Sequence, residues 1–138
     1  QAARDWGAIA LSASFSSLRA VYRDVFSGSR IPGIPEQTAY LDLRWRPSER
    51  WDAGFEVRHS SRIYVNDVNS DAAESYTVAS LRAGASWRVG AATLRPFVRV
   101  DNLFNRRYAG SVIVNEGNAR YFGPAPERAW LAGCSISL

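Results

Sequence analysis

Charged side chains keep to one parity along much of this chain. Between Thr38 and Pro47 the even positions are Tyr40, Asp42, Arg44 and Arg46, and the odd ones are Ala39, Leu41, Leu43 and Trp45. From Trp51 to Val57 the odd positions are Trp51, Ala53, Phe55 and Val57, while the even ones include Asp52 and Glu56, with Arg58 next. From Ala79 to Val89 the odd positions are Ala79, Leu81, Ala83, Ala85, Trp87 and Val89, and the even ones include Arg82, Ser86 and Arg88. A β-strand sends alternate side chains to opposite faces. Each stretch therefore builds one face without charge and one rich in it. No sustained apolar pattern at i, i+3, i+4 and i+7 competes with this reading, so helices are not expected.

Six strand-like stretches separate along the chain: about Ala8–Tyr22, Gln37–Pro47, Trp51–Val65, Tyr76–Val89, Thr93–Asn102 and Arg128–Leu138. In the last, Trp130, Ala132, Cys134, Ile136 and Leu138 share one face, and Leu131, Gly133, Ser135 and Ser137 the other. Pro47-Ser48-Glu49-Arg50 and Gly90-Ala91-Ala92 read as tight turns, whereas Asp24–Glu36, Asn66–Ser75 and Asn105–Glu127 read as long loops rich in Gly, Pro, Asn and Ser. A soluble sandwich also alternates apolar and polar residues. Two features point instead to a transmembrane β-barrel wall. Long and short connections alternate, as in barrels with short periplasmic turns and longer outer loops, and Trp45, Trp51 and Trp87 stand next to the short turns, as an interfacial girdle would. Pro96 forfeits a ladder hydrogen bond and predicts a bulge or an early strand position.

The remaining composition excludes more than it suggests. No stretch approaches the roughly 18 apolar residues of a transmembrane helix, but a spanning strand needs only about 9–11 residues with one apolar face. The 138-residue chain has the length of one domain, starts at Gln1 and contains no Met, which reads as a processed product or a piece of something longer. All 17 basic residues are Arg, giving a net charge of +4. They are spread singly along strands, so nucleic acid is not expected as a partner. Cys134 is alone and sits at an apolar-parity position; His59 is the only histidine, so neither a disulfide nor a metal site is expected. No Ser-His-acid arrangement or phosphate-binding loop can be placed, and no catalytic residues are assigned.

The C-terminal segments resemble a known family. Asn102-Leu103-Phe104-Asn105-Arg106-Arg107-Tyr108 is similar to the N-L-F-D-x-x-Y segment of TonB-dependent outer-membrane receptors. Gly110–Asn115 and Arg120–Arg128 resemble the loop and the approach to the final strand in their siderophore branch. The ending Gly133–Leu138 resembles the outer-membrane assembly signal, and Ile31-Pro32-Gly33-Ile34-Pro35 a Pro-containing loop of the same receptors. Three positions depart from the pattern: Asn105 stands where Asp is usual, Glu127 where Gly is usual, and Leu138 where Phe is usual.

The resemblance implies an all-β fold: an antiparallel up-and-down meander of about six strands, forming the C-terminal part of a transmembrane barrel of about 22 strands. Residues 1–138 would then be one barrel segment, with the plug domain and earlier strands outside it. It implies a Gram-negative outer-membrane location, contact with the lipid bilayer, and active uptake of a ferric siderophore as cargo, with no resident cofactor. TonB and its inner-membrane energy complex would engage the part preceding this segment. Ligand contacts are expected from loop arginines and aromatics, because a guanidinium fork or an aromatic face suits oxygen-rich anionic chelates. The candidates are Arg30, Tyr64, Arg106, Arg107, Arg120 and Tyr121. Parity assigns Asp42, Arg44, Asp52, Glu56, Arg58, Arg82, Arg88, Arg95, Arg99 and Asp101 to the lumen. Two alternatives stand beside this reading: a soluble lipocalin-like carrier of small molecules, and an inert structural fragment without activity of its own.

Overall fold

The structure is a computed structural model that describes all residues 1–138. It contains twelve strands and no helix: β1 (Ala2–Asp5), β2 (Ile9–Ser17), β3 (Gln37–Ser48), β4 (Trp51–Ser60), β5 (Ile63–Tyr64), β6 (Ala72–Ala73), β7 (Tyr76–Ala85), β8 (Trp87–Val89), β9 (Ala92–Asp101), β10 (Ala109–Val112), β11 (Phe122–Pro124) and β12 (Ala129–Ser137). One antiparallel sheet carries the order β1-β2-β3-β4-β7-β9-β12, with β8 continuing β7 alongside β9. Every neighbour in the sheet is a neighbour in the chain once the small loop hairpins β5-β6 and β10-β11 are set aside. This is the expected meander, with one more wall strand than the six read from sequence. The addition is β1, which pairs with β2 from Ala2↔Ala13 to Asp5↔Ala10.

The first strand also stops earlier than its alternation suggested. β2 ends at Ser17, and Leu18 donates its amide to the Glu36 carbonyl as the chain leaves the sheet. Two consecutive serines, Ser16 and Ser17, close the clean alternation there. Beyond them the segment folds back on itself through a bridge between Val21 and Arg30.

Register preserves the parity from β2 to β12. Leu11, Leu43, Phe55, Leu81, Val100 and Trp130 form one cross-strand row, and Ser12, Asp42, Glu56 and Ser80 form a row on the opposite face. The bulge lies at Arg46 and Pro47, between the Trp45↔Ala53 and Ser48↔Trp51 pairs. Pro96 causes no bulge. Gly84 faces Phe97 and Trp87 faces Leu94, so the register runs through Pro96 unchanged and only the ladder is interrupted. The break at Ser86, which separates β7 from β8, is where a missing proline donor is tolerated; the Ser86 amide instead bonds the Arg50 carbonyl.

The sheet is a single layer. Only 12 of 138 residues are buried, so no enclosed apolar core holds it together. Cohesion comes from the backbone: 54 of its 73 backbone hydrogen bonds lie within the strands. Such lateral pairing is how strands satisfy their polar groups where water is absent. On the uncharged face Trp45, Trp51 and Trp87 remain about half exposed beside the short turns, and Trp51 meets Trp87 edge-on at 6.1 Å.

Candidate functional site

The meander sends all three long loops to one end of the wall and the short turns to the other. The loop end is where the sequence located ligand contacts, and there the three loops are tied into one block. The Tyr22 hydroxyl donates to Asp67 Oδ1 at 2.8 Å, and Asn115 Nδ2 donates to Asp67 Oδ2 at 3.0 Å. The Asp67 amide in turn reaches Asn115 Oδ1 at 3.2 Å. Asn69 binds Arg30 on both sides, accepting its amide at 2.6 Å and donating to its carbonyl at 2.9 Å. The Gly33 amide bonds the Tyr64 carbonyl and the Asn115 amide bonds the Val65 carbonyl, with Val65 fully buried between them. Gly33 has φ +79 and lies so close to Val114 that a Cβ would meet its methyl at 2.9 Å. The hydrogen bond to Asp67 holds the Tyr22 hydroxyl above the usual tyrosine pKa.

The six candidate residues are distributed over this block and do not converge on one cavity. Arg30 is half-buried and ion-paired with Glu36. Tyr64 lies in β5, its carbonyl taken by Gly33. Arg106 is anchored through its backbone, both groups bonded by the Asn102 side chain at 2.8 Å, while its guanidinium is exposed and finds no protein acceptor. Arg107 Nε pairs with Glu127 at 3.0 Å and lines a 460 Å³ recess with Glu74, Tyr108 and Phe122. Arg120 is exposed; its amide bonds Glu116 Oε2 at 2.8 Å, and its guanidinium has no protein partner. The same bond, with those from Asn118, holds the Glu116 carboxyl below the usual carboxylate range. Tyr121 is half-buried, with its ring 6.1 Å from Phe122. Arg106 and Arg120 are therefore the two arginines of the six whose guanidinium groups remain open to a ligand.

The loop-to-strand segment explains its own sequence. Asn102 sits at φ 51 and Asn105 at φ 52, left-handed values that asparagine tolerates better than most residues. Asn102 caps the turn onto Arg106, and Asn105 Oδ1 accepts the Arg128 amide at 2.8 Å, fastening the far end of the loop at the start of β12. An aspartate at 105 would accept the same bond, so Asn105 keeps the function of the usual residue. Glu127 has its own role as the partner of Arg107.

Across the middle of the wall the charged face is compensated in part, through Arg44 and Arg99, while Arg58 and Arg82 form no ion pair. Arg44 Nε meets Asp42 at 2.7 Å. Arg99 meets Glu56 at 3.2 Å and Asp101 at 2.9 Å. Glycines make room for the larger groups: Arg82 lies over Gly54, Asp52 over Gly84, and the Phe97 ring over Gly133. Asp42 is 3% exposed, and its Oδ1 and the Arg82 Nε are buried without partners. Sequence parity located these groups on the correct face but could not pair them.

A single-layered antiparallel wall with one uncharged face, a tryptophan belt at the turn end and long loops at the other defines the class: a segment of a transmembrane β-barrel. The model of the family described as TonB dependent receptor-like, beta-barrel, matches residues 1–103. The chain belongs to that family, one of receptors and not of enzymes. The match covers the strands up to β9, whereas the resemblance read from sequence rested mostly on residues beyond 102. Solved structures agree in fold. The siderophore receptor PiuA from Acinetobacter baumannii superposes with TM-score 0.76 at 19% identity, over 94% of this chain and 20% of its own. BauA, the ferric preacinetobactin receptor from the same organism, gives 0.77 at 16% identity, over 94% and 20%. The ferric citrate transporter FecA gives 0.80 at 15%, over 94% and 21%. The chain thus spans about a fifth of the length of the receptors it matches. A carrier of the lipocalin kind needs an enclosed apolar interior, which this single layer lacks.

Proposed function

We propose that this chain is the C-terminal wall segment of an outer-membrane receptor that captures a ferric siderophore and imports it with TonB-coupled energy. The complete barrel would have about 22 strands around a plug, and TonB with its inner-membrane complex would engage the part preceding this segment. The uncharged face with its tryptophan belt meets the lipid bilayer of the Gram-negative outer membrane. The three-loop block faces outward. The observation that carries the reading is the free Arg120 guanidinium beside Tyr121 on the longest loop, in a chain whose family is one of TonB-dependent receptors. Guanidinium groups at the mouth concentrate anionic chelates and bind their oxygens. Arg106 is the second contributor; Arg30 and Arg107, already paired with carboxylates, support the block. The test replaces Arg120 and Tyr121 with Ala in the full-length receptor and measures binding and iron uptake on cells with matched surface levels. Weaker binding of at least one ferric siderophore in a panel is expected. Unchanged affinity across the panel would remove this loop from the binding site.

A further inference from the structure

The uncharged face is not evenly filled. Its central row, Leu43, Phe55, Leu81 and Val100, is bulky. The next two rows toward the short turns instead hold Ala53, Ala83 and Ala85, with Pro96 beside them on β9. Trp45 stands opposite Ala53 and Trp51 opposite Ala85, walling this low ground on one side. The result is an apolar trough of 670 Å³ at the tryptophan belt. Trp51 lines the trough, and its ring meets Trp87 edge-on at 6.1 Å. Trp87 in turn lines a polar recess of 600 Å³ with Arg88, Arg95 and, from the β3-β4 turn, Glu49 and Arg50. Residues of both faces can share a recess only at the rim of the wall. None of these three guanidinium groups is ion-paired, and neither is the Glu49 carboxylate.

We propose that trough and recess together bind one glycerophospholipid with an ethanolamine headgroup, in the membrane leaflet at the turn end. A tryptophan belt marks the level of the headgroups, so the recess lies at headgroup depth and the trough just below it. The trough receives the glycerol-proximal methylenes of one acyl chain, which the small side chains of Ala53, Ala83 and Ala85 leave room for. Arg50 and Arg88 bind the phosphate, for which the guanidinium fork is suited. Glu49 selects the rest of the headgroup. A primary ammonium offers it three N–H donors, whereas a quaternary choline nitrogen offers none and a headgroup without a cation leaves the carboxylate unpaired. Lipid that merely solvates the wall needs neither the trough nor this mixed set of charges. The proposal rests on the uncharged face meeting the bilayer, as under the proposed function.

The test reconstitutes the full-length receptor in phosphatidylcholine vesicles. These carry, at equal mole fraction, an ethanolamine or a choline phospholipid with a diazirine in its acyl chain close to the glycerol. After irradiation, labelled positions are mapped by digestion and mass spectrometry. The ethanolamine probe should label Ala53, Ala83 and Ala85 about fivefold more than the choline probe, the discrimination that one exposed ion pair can provide. Glu49→Gln and Arg50→Gln/Arg88→Gln should each abolish that preference, and Arg50→Lys/Arg88→Lys should retain it. Filling the trough with Ala53→Leu/Ala83→Leu should abolish it at Ala85. Unheated gel mobility verifies that each variant is folded. Equal labelling of the trough by both probes, no labelling there, or a preference that survives Glu49→Gln or Arg50→Gln/Arg88→Gln would overturn the proposal. A choline lipid with its diazirine at the chain end tests the underlying reading separately, since it should label Leu81 whatever the headgroup site does. Label on Arg82 and Arg99 with none on Leu81 would mean that the faces are reversed.

Discussion

Leu81→Arg set against Arg82→Ala tests the assignment of faces at two adjacent residues. Leu81 stands between Phe55 and Val100 on the uncharged face, near the middle of β7. Trp87 is six positions further along the chain and Trp51 four positions from Phe55, the partner of Leu81, so about five residues separate Leu81 from the tryptophan belt, and at about 3.3 Å per residue and a tilt of about 40° this amounts to about 13 Å along the membrane normal. That is half of an apolar band of about 25 Å, which under the proposed function puts Leu81 at the bilayer midplane. A guanidinium there is at the depth where substitution costs about 2–4 kcal/mol, and snorkelling brings little relief so far from either interface. Arg82 faces the other way. It makes no ion pair, and its Nε lies unpartnered over Gly54. Its replacement by Ala removes no compensating bond and should change stability by no more than about 0.5 kcal/mol. Reversible urea unfolding of the full receptor in lipid vesicles, followed by tryptophan fluorescence and unheated gel mobility, measures both. Equal costs, or a larger cost for Arg82→Ala, would refute the assignment.

Asp67→Ala removes the acceptor shared by Tyr22 and Asn115; limited proteolysis should then cut the loops at 18–36 and 61–75 faster while the strands stay protected. Glu116 titrates below the usual carboxylate range, because the Arg120 amide and Asn118 bond its ionised form. Its support of the 116–120 turn is therefore complete above the ordinary carboxylate pKa and is lost as pH falls through the lowered value. Amide exchange at Arg120, corrected for its intrinsic pH dependence, should accelerate only in that acid window, and Glu116→Gln should abolish the dependence. The isolated chain has open edges at β1 and β12, which recruit further strands; in water without detergent, sedimentation should show oligomers, and a monodisperse monomer would contradict this.

The wall was legible because a period of two needs no knowledge of partners. Each of Asp42, Leu43, Arg82 and Leu81 announces its face by position alone, and register then had only to align the strands. β1 escaped this logic. Ala2-Ala3-Arg4-Asp5 is too short to display alternation, and Arg4 breaks the charge rule: its register opposite Leu11 puts it on the uncharged face. Its guanidinium lies 5.6 Å from the centre of the Trp6 ring, beside the turn, where a cation can snorkel to the headgroups while resting on an aromatic face. The loops were legible only as loops. Arg30 looks like a ligand arginine by type, but Asn69, 39 residues away, takes both its backbone groups, and Glu36 takes its charge. Such pairings have no period and follow from how the three loops meet.

The segment from Asn102 to Tyr108 shows why a motif can identify a family without identifying its ligand. Asn102 spends its side chain on the Arg106 backbone and the Pro126 carbonyl, and Asn105 fastens the start of β12 through Arg128. Tyr108 stacks on Tyr76 with ring centres 4.2 Å apart, fixing the loop base against the start of β7. Each of these residues answers a demand that any barrel of this design makes: turn the chain out of one strand and return it, in register, to the next. Their contacts hold the base of the loop. Of the candidates in this loop, Arg106 and Arg120 are the two whose guanidinium groups are free of such demands, and they are the ones we propose for ligand contact. Arg106 sits within the anchored base, so a change there risks moving the strand pair β9-β12 as well as any bound chelate. Arg120 stands at the far side of the Glu116 turn, where its side chain can vary while its amide keeps the turn closed. Ligand preference in receptors of this build should therefore follow the side chains at 120 and 121, and the residues at 102 and 105 should leave it unaltered wherever the barrel still assembles.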